Sequence, residues 1–223
     1  ICQPTFPLYH VFAQMHGGRP VLVPHKDWGQ DLEGMLAQIT PRTRLVYVCN
    51  PNNPTGTIVT RQQVADLMAR VPDWVMVVFD ESYHAFVDAP DYPDTVEYVR
   101  QGRNVLVARS FSKIQGLAGL RIGYGIAPRH ITDYLERARI PFEVNSLGLV
   151  GAMASLDDAE YVERSRRLVI EERAYLYDLF DHLGLSYVSS QANFILLKGL
   201  PVDHLALVES LTRRGVIVRA MDP

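Results

Sequence analysis

Four short apolar runs constrain the fold of this chain more than any other feature of its sequence. The runs cover residues 21–23, 45–49, 75–79 and 105–108. Each is apolar at consecutive positions and rich in β-branched residues, so we expect buried strands with both faces covered by helices. Amphipathic helical patterns lie between the runs, for example at residues 61–70, where Pro72 follows and stops the helix. This alternation predicts an α/β fold with a mainly parallel sheet flanked by helices.

The pattern changes after residue 128. Helical patterns cover residues 131–139, 157–183 and 202–213, and strand-like runs cover residues 193–197 and 216–219. Gly184 follows the longest of these helices, as is typical of a helix C-terminus. We therefore expect a large domain at residues 1–156 and a small α+β domain at residues 157–223.

Both ends of the sequence look like parts of elements that continue beyond it. Residues 1–4 (ICQP) are typical of the end of a strand, and residues 215–219 (GVIVR) of a strand whose partner lies further along. We therefore expect the chain to be part of a longer protein, with both domains incomplete.

Composition argues against several classes of function. Apolar residues make up 48% of the chain and charged residues 21%, which is typical of a soluble globular protein. The net charge of −3 provides no basic excess to bind a nucleic-acid backbone. No apolar run approaches the roughly 20 residues of a membrane-spanning helix. We expect neither nucleic acid nor a membrane as a partner.

Cysteine and histidine usage gives no sign of a disulfide framework or a metal site. Cys2 and Cys49 are too few for the first and wrongly spaced for the second. Cys49 ends an apolar run, so we expect a buried free thiol there. The histidines are scattered without the spacing of metal ligands. We therefore expect no metal, and a reducing, cytoplasmic location.

Polar motifs follow two of the strands directly, where ligands bind in open α/β sheets. Residues 50–56 (NPNNPTG) predict a rigid loop that presents asparagine amides at its surface. After the next strand, Asp80 is placed to meet a cationic ring nitrogen, and the hydroxyl of Tyr83 could turn toward the same ligand. The alternatives are an ordinary turn for the loop and a helix cap for Asp80.

Two further motifs follow the strand at residues 105–108. Ser110 and Ser112 alternate beside Lys113, which suggests a pocket for a phosphate and a reactive amine. Eight residues later comes Arg121, and arginine binds phosphate bidentately. Turn chemistry for the serines and a surface charge for the arginine are the alternatives. In this order, the motifs together predict a site for a phosphorylated pyridine aldehyde.

The segments that carry these motifs resemble the fold-type-I aminotransferases, which depend on pyridoxal 5'-phosphate. The resemblance covers essentially the whole chain and is most specific at residues 111–113 (FSK) and 116–121 (GLAGLR). Residues 141–145 (PFEVN) are similar to a run typical of the histidinol-phosphate branch of this family.

The resemblance implies a role for each residue around the cofactor's ring. Lys113 would bind the cofactor as a Schiff base and then move the proton. Asp80 would pair with the pyridinium nitrogen and keep the ring an electron sink. Asn53 and Tyr83 would donate hydrogen bonds to the ring hydroxyl. Phe6 would stack on the ring, although a phenylalanine of the core is an alternative.

The resemblance also implies phosphate contacts. Ser110, Ser112 and Arg121 would bind the cofactor's phosphate, and Arg219 would lie near the phosphate of the substrate. For Arg219 a surface arginine is the alternative. Two elements of the family's site, a glycine-rich turn and a late arginine, would precede Ile1 and follow Pro223, so we expect these residues alone to form an incomplete site. The resemblance also implies a homodimer with active sites near the subunit interface.

The expected reaction is transfer of an amino group from histidinol phosphate to 2-oxoglutarate, giving imidazole-acetol phosphate and glutamate, in histidine biosynthesis. An aromatic or broad-range aminotransferase, or a threonine-phosphate decarboxylase, would have nearly the same residues around the cofactor. A non-catalytic scaffold that binds no cofactor is a further alternative. The presence of Lys113, Asp80, Asn53 and Arg121 argues against it.

Overall fold

The computed structural model describes residues 1–221. The strands are β1 (Cys2–Gln3), β2 (Val23–Pro24), β3 (Leu45–Cys49), β4 (Met76–Asp80), β5 (Val105–Ser110), β6 (Gly123–Ile126), β7 (Ser186–Val188) and β8 (Leu196–Lys198). The helices are α1 (Leu8–Met15), α2 (Leu32–Ala37), α3 (Arg61–Arg70), α4 (Val96–Arg100), α5 (Arg129–Ala138), α6 (Ser146–Asp157), α7 (Ala159–His182) and α8 (His204–Arg213). None of the helices within these residues is both long and apolar enough to cross a membrane.

The largest sheet has four strands in the order β3-β4-β5-β6. The first three strands are parallel and β6 runs antiparallel to β5, so the prediction of a mainly parallel sheet flanked by helices is confirmed. Cys49 lies opposite Asp80, and Asp80 lies opposite Ala108. The three parallel strands therefore end level with one another, and the polar motifs that follow them share one edge of the sheet.

The core explains why these strands form. Val48, Val77, Phe79, Val105 and Val107 are fully buried. Branched side chains fit a pleated surface that is covered on both faces. Helix α3 packs its apolar face on the same core. It has the predicted bounds because a capping box precedes it and the chain turns to extended backbone directly after it.

The run at residues 21–23 was predicted to be a buried strand, and this is wrong in part. Only Val23 belongs to a strand, and it pairs with Cys2 in a separate two-stranded sheet. Val21 and Leu22 are exposed. Hydropathy alone could not distinguish this run from the central strands, because the difference lies in which strands pair.

In the second half, the three predicted helices are present as α5, α7 and α8. Gly184 follows α7 with a positive φ of 66°, as predicted for its C-terminus. Helix α6 was missed because its sequence is apolar on all sides and lacks a helical period. The boundary between residues 156 and 157 stays a prediction.

The two predicted C-terminal strands have different outcomes. The run at 193–197 gives only β8, displaced to Leu196–Lys198 and antiparallel to the unpredicted β7. The run at residues 216–219 pairs with no other strand within residues 1–221, so a strand whose partner lies further along stays a prediction. An extended run becomes a strand only where a neighbour exchanges backbone hydrogen bonds with it.

Candidate active site

The side chain of Asp80 is the centre of the polar edge of the sheet. Its Oδ1 accepts hydrogen bonds from the backbone nitrogen of Ser82 at 3.0 Å and from Ser82 Oγ at 2.6 Å. Its Oδ2 accepts one from the hydroxyl of Tyr9 at 2.6 Å. Hydrogen bonds therefore hold both oxygens of the Asp80 carboxylate. Bonds of this kind are stronger than those between neutral groups because the acceptor is charged.

The sequence motifs did not identify Tyr9. It lies in α1, 71 residues before Asp80, and its ring stacks on Tyr47 with the centroids 5.1 Å apart. Phe6 contacts the same ring edge-on at 5.5 Å. Burial, followed by the nearby Cys49 and Asp80, raises the pKa of the Tyr9 hydroxyl well above its ordinary value, so it remains a neutral donor. No signal in the sequence links Tyr9 to Asp80.

The three asparagines of the loop at residues 50–56 have two different roles. Asn50 and Asn52 are fully buried and bind the backbone at Val59 and Pro4, which holds the loop in shape. Asn53 instead lies at the edge of the sheet, where its Nδ2 donates a long hydrogen bond of 3.5 Å to Tyr83 Oη. The structure therefore brings Asn53 and Tyr83 together, as the motifs predict.

Gly56 ends this loop in a position that no other residue fits. Its φ is +72°, and a Cβ there would lie 2.1 Å from Ser190 Oγ and 3.0 Å from Ser190 Cα. Its carbonyl accepts a hydrogen bond of 2.7 Å from the backbone nitrogen of Gln191. Ser190 cannot move aside easily, because it is buried and its carbonyl accepts a hydrogen bond from Arg173. The loop that carries Asn53 is therefore held against the turn before β8.

We expect Gly56→Ala to destabilise the protein by about 2–5 kcal/mol. The left-handed backbone costs alanine about 1–2 kcal/mol, and overpacking against Ser190 adds about 1–3 kcal/mol. Gly102→Ala is the matched control, because Gly102 has a φ of +71° and nothing within 4 Å of the added Cβ. Urea unfolding of both variants measures the difference. Equal losses of stability would show that the contact with Ser190 is unimportant.

Lys113 follows β5 and is exposed, with its Nζ 5.1 Å from the centre of the Tyr83 ring. The neighbouring Ile114 is buried in a cluster with Tyr83, Phe86 and Ala192 and so anchors the lysine's backbone. Phe194 contacts the Tyr83 ring edge-on at 5.0 Å. The amine of Lys113 therefore lies next to the Tyr83 ring, as expected for motifs that follow neighbouring strands.

The predicted phosphate ligands lie on the segment around Lys113. Ser110 Oγ accepts a hydrogen bond of 3.0 Å from the backbone nitrogen of Ser112, so the two serines form a tight turn. Arg121 is exposed, has a φ of +53°, and donates from Nη1 to the carbonyl of Ala118 at 2.7 Å. Within residues 1–221 its other guanidinium nitrogens make no hydrogen bond, so they remain available to a ligand.

Glu81, next to Asp80, has a structural task that the motif analysis missed. It is fully buried and accepts hydrogen bonds from Thr95 and Arg109, whose guanidinium also pairs with it at 2.8 Å. Burial raises the pKa of the Glu81 carboxyl, and the bonds from Thr95 and Arg109 oppose that rise. The two adjacent acids at the end of β4 thus have different roles: Asp80 lies at the candidate site, and Glu81 is buried in the fold.

Phe6 and Arg219 have different surroundings. Phe6 is half-buried and touches Tyr9 beside Asp80, so it lies at the candidate site. Arg219 is exposed, and no hydrogen bond or ion pair joins it to any other of residues 1–221. The structure gives no contact between Arg219 and the residues at the sheet edge.

Comparison with known proteins agrees with this arrangement. The family model described as "Aminotransferase class I and II" matches residues 1–223. The histidinol-phosphate aminotransferase of Moorella thermoacetica is 48% identical, aligning 100% of this chain with 58% of that protein. Histidinol-phosphate aminotransferase 2 of Ralstonia nicotianae is also 48% identical, over 97% of this chain and 59% of that protein. The chain thus spans less than two thirds of the length of these curated relatives.

A solved structure with the same architecture is the histidinol-phosphate aminotransferase of Sinorhizobium meliloti in complex with pyridoxal-5'-phosphate. It superimposes with a TM-score of 0.89 at 30% sequence identity. The match covers 96% of this chain and 59% of that one. The fold described above is therefore found in a protein whose structure holds this cofactor.

Proposed function

Because this chain belongs to the family of class I and II aminotransferases, we propose that the protein is an aminotransferase dependent on pyridoxal 5'-phosphate. We propose that it transfers the amino group of histidinol phosphate to 2-oxoglutarate, giving imidazole-acetol phosphate and glutamate. The observation that carries the proposal is that Lys113 and Asn53 both contact Tyr83, which follows Asp80 by three residues at the end of β4. The 48% identity to histidinol-phosphate aminotransferases supports the choice of substrate.

The chemistry of these side chains fits the cofactor. An amine is needed for its aldehyde, an anion for its ring nitrogen, donors for its phenolic oxygen, and hydroxyls with a guanidinium for its phosphate. The chain offers these as Lys113, Asp80, Asn53 with Tyr83, and Ser110 with Ser112 and Arg121. When bound, the cofactor supplies an electron sink for the charge that develops at the substrate's α carbon.

The remaining chemistry belongs to the chain. The amine of Lys113 takes the proton from the substrate's α carbon and returns it later, as a positioned general base does. Asp80 balances the positive charge on the ring nitrogen, and its own orientation is set by Ser82 and Tyr9. Tyr83 and Asn53 would hold the ring through its phenolic oxygen, and Phe6 would supply an aromatic contact to the ring.

We further propose a homodimer in the cytoplasm, with residues 157–223 forming part of a smaller domain. The apolar surface of α6 supports a further protein contact, because Leu147 is 74% exposed and Met153 is 69% exposed. Exposed apolar patches of this kind usually mark surfaces that another element or subunit covers.

The substrate proposal predicts a specific defect in Arg219→Ala. A charge-assisted bond from arginine to phosphate contributes about 1.5–3 kcal/mol. We therefore expect KM for histidinol phosphate to rise roughly 10- to 150-fold, since about 1.4 kcal/mol corresponds to a factor of ten. The dissociation constant of the cofactor should hardly change. Steady-state assays with histidinol phosphate and with phenylalanine measure the preference of the unmodified protein and of the variant.

Arg214→Ala is the matched control, because Arg214 is another exposed arginine in the same segment. It should leave KM for histidinol phosphate within about two-fold. If the unmodified protein prefers phenylalanine, or if Arg219→Ala impairs both substrates equally, the histidinol-phosphate assignment fails. A broad-range or aromatic aminotransferase then takes its place.

A further inference from the structure

The carboxylate of Asp80 has little hydrogen-bonding capacity left. An ionised carboxylate accepts about four hydrogen bonds. Ser82 donates two to Oδ1, from its backbone nitrogen and its hydroxyl, and Tyr9 donates one to Oδ2. About one acceptor position remains, and it lies on the oxygen that Tyr9 contacts. The direction in which Asp80 can bind a ligand therefore depends on where Tyr9 holds Oδ2.

Tyr9 is itself held firmly. It is only 9% exposed, and its ring lies against Tyr47 in a nearly parallel stack, with an angle of 16° between the planes. Tyr47 belongs to β3, the strand that pairs with β4, where Asp80 lies. Phe6 also contacts the Tyr9 ring, at an interplanar angle of 72°. The phenol oxygen thus has a fixed place relative to the end of β4.

We propose that Tyr9 is a positioning residue for Asp80, which orients Oδ2 toward a protonated aromatic nitrogen. This inference rests on the proposed function, because the nitrogen in question is that of the pyridine cofactor. Ser82 contacts only Oδ1, so without Tyr9 the carboxylate would be held from one side alone. The hydroxyl of Tyr9 adds a bond at Oδ2 and further limits rotation about the Cβ–Cγ bond, which reduces the entropy lost when the ligand binds.

A double-mutant cycle tests the proposal in the purified full-length protein. Tyr9→Phe keeps the stacked ring and removes only the hydroxyl. We expect it to raise the dissociation constant of pyridoxal 5'-phosphate about ten-fold, measured by fluorescence quenching of the apoprotein. It should also lower kcat with little change in KM for the amino donor. In an Asp80→Asn background the same substitution should change the dissociation constant less than two-fold, because the charge that Tyr9 orients is gone.

Tyr47→Phe is the matched control. It removes a hydroxyl from the partner ring in the same stack, and the Tyr47 hydroxyl makes no hydrogen bond within residues 1–221. This variant should bind the cofactor within about two-fold of the unmodified protein. The proposal is overturned if Tyr9→Phe binds the cofactor normally, or if it weakens binding equally in both backgrounds. Failure of the unmodified protein to bind the cofactor would remove the proposed function as well, which makes the two failures distinguishable.

Discussion

Lys113→Ala is expected to lower kcat by about 10⁴-fold or more and to abolish the visible absorbance of the bound cofactor. A positioned general base contributes typically about 10²–10⁴-fold to a rate. Lys113 would also be the residue bonded covalently to the cofactor, so its loss removes two functions together. Borohydride treatment of the unmodified protein should leave the reduced cofactor on the one peptide that contains Lys113. Single-turnover kinetics measure the loss of rate, and peptide mapping identifies the residue that carries the reduced cofactor.

The sequence provides two matched controls, since Lys26 and Lys198 are its only other lysines. The amine of Lys198 lies over the ring of Trp28 at 5.8 Å, and within residues 1–221 neither Lys26 nor Lys198 makes a side-chain hydrogen bond, so neither substitution should affect the chemistry. Lys26→Ala and Lys198→Ala should retain at least about half of the activity. A reduced adduct on either of these residues would contradict the assignment of Lys113.

The central fold could be predicted because its determinants are local. Strands β3, β4 and β5 lie within a residue or two of the apolar runs 45–49, 75–79 and 105–108, whose branched residues fit a sheet covered on both faces. Strand β6 gives no such signal, because two of its four residues are glycines and it forms by pairing with β5. Elements that depend on a partner distant in the sequence are therefore the ones that pattern analysis misses.

Pattern analysis likewise predicts only part of the candidate site. Asn53, Tyr83 and Lys113 follow strand ends, so parallel topology alone predicts that they meet, and the structure brings them together. Their chemical roles came from the resemblance to the aminotransferase family, and membership of that family is confirmed by the family match. The contact of Tyr9 with Asp80 depends on how α1 packs against the sheet, which no local pattern specifies.

Asp80 provides the second large expected effect, because its charge and its hydrogen bonds can be removed separately. Asp80→Asn keeps one oxygen acceptor for Ser82 and turns its amide nitrogen toward the hydroxyl oxygen of Tyr9, which can accept a hydrogen bond from it, but removes the negative charge. We expect it to lower kcat by about 10²–10³-fold, which is the usual cost of losing one positioned electrostatic partner in an active site. The free energy of unfolding should change by less than about 1 kcal/mol. Steady-state kinetics and urea unfolding measure the two quantities.

Asp80→Ala removes the charge and the acceptors together. Its kcat should fall at least as far, and the hydroxyl of the buried Tyr9 is left without a partner. An unsatisfied buried donor costs about 1–3 kcal/mol, so only the alanine variant should also lose stability by that amount. Asp94→Asn is the control, because Asp94 is an exposed acid that pairs with Arg100, so this variant should leave both quantities unchanged. Near-normal turnover in Asp80→Asn would show that the ring nitrogen has another partner. Equal stability of the asparagine and alanine variants would show that Asp80 does not hold Tyr9 in place.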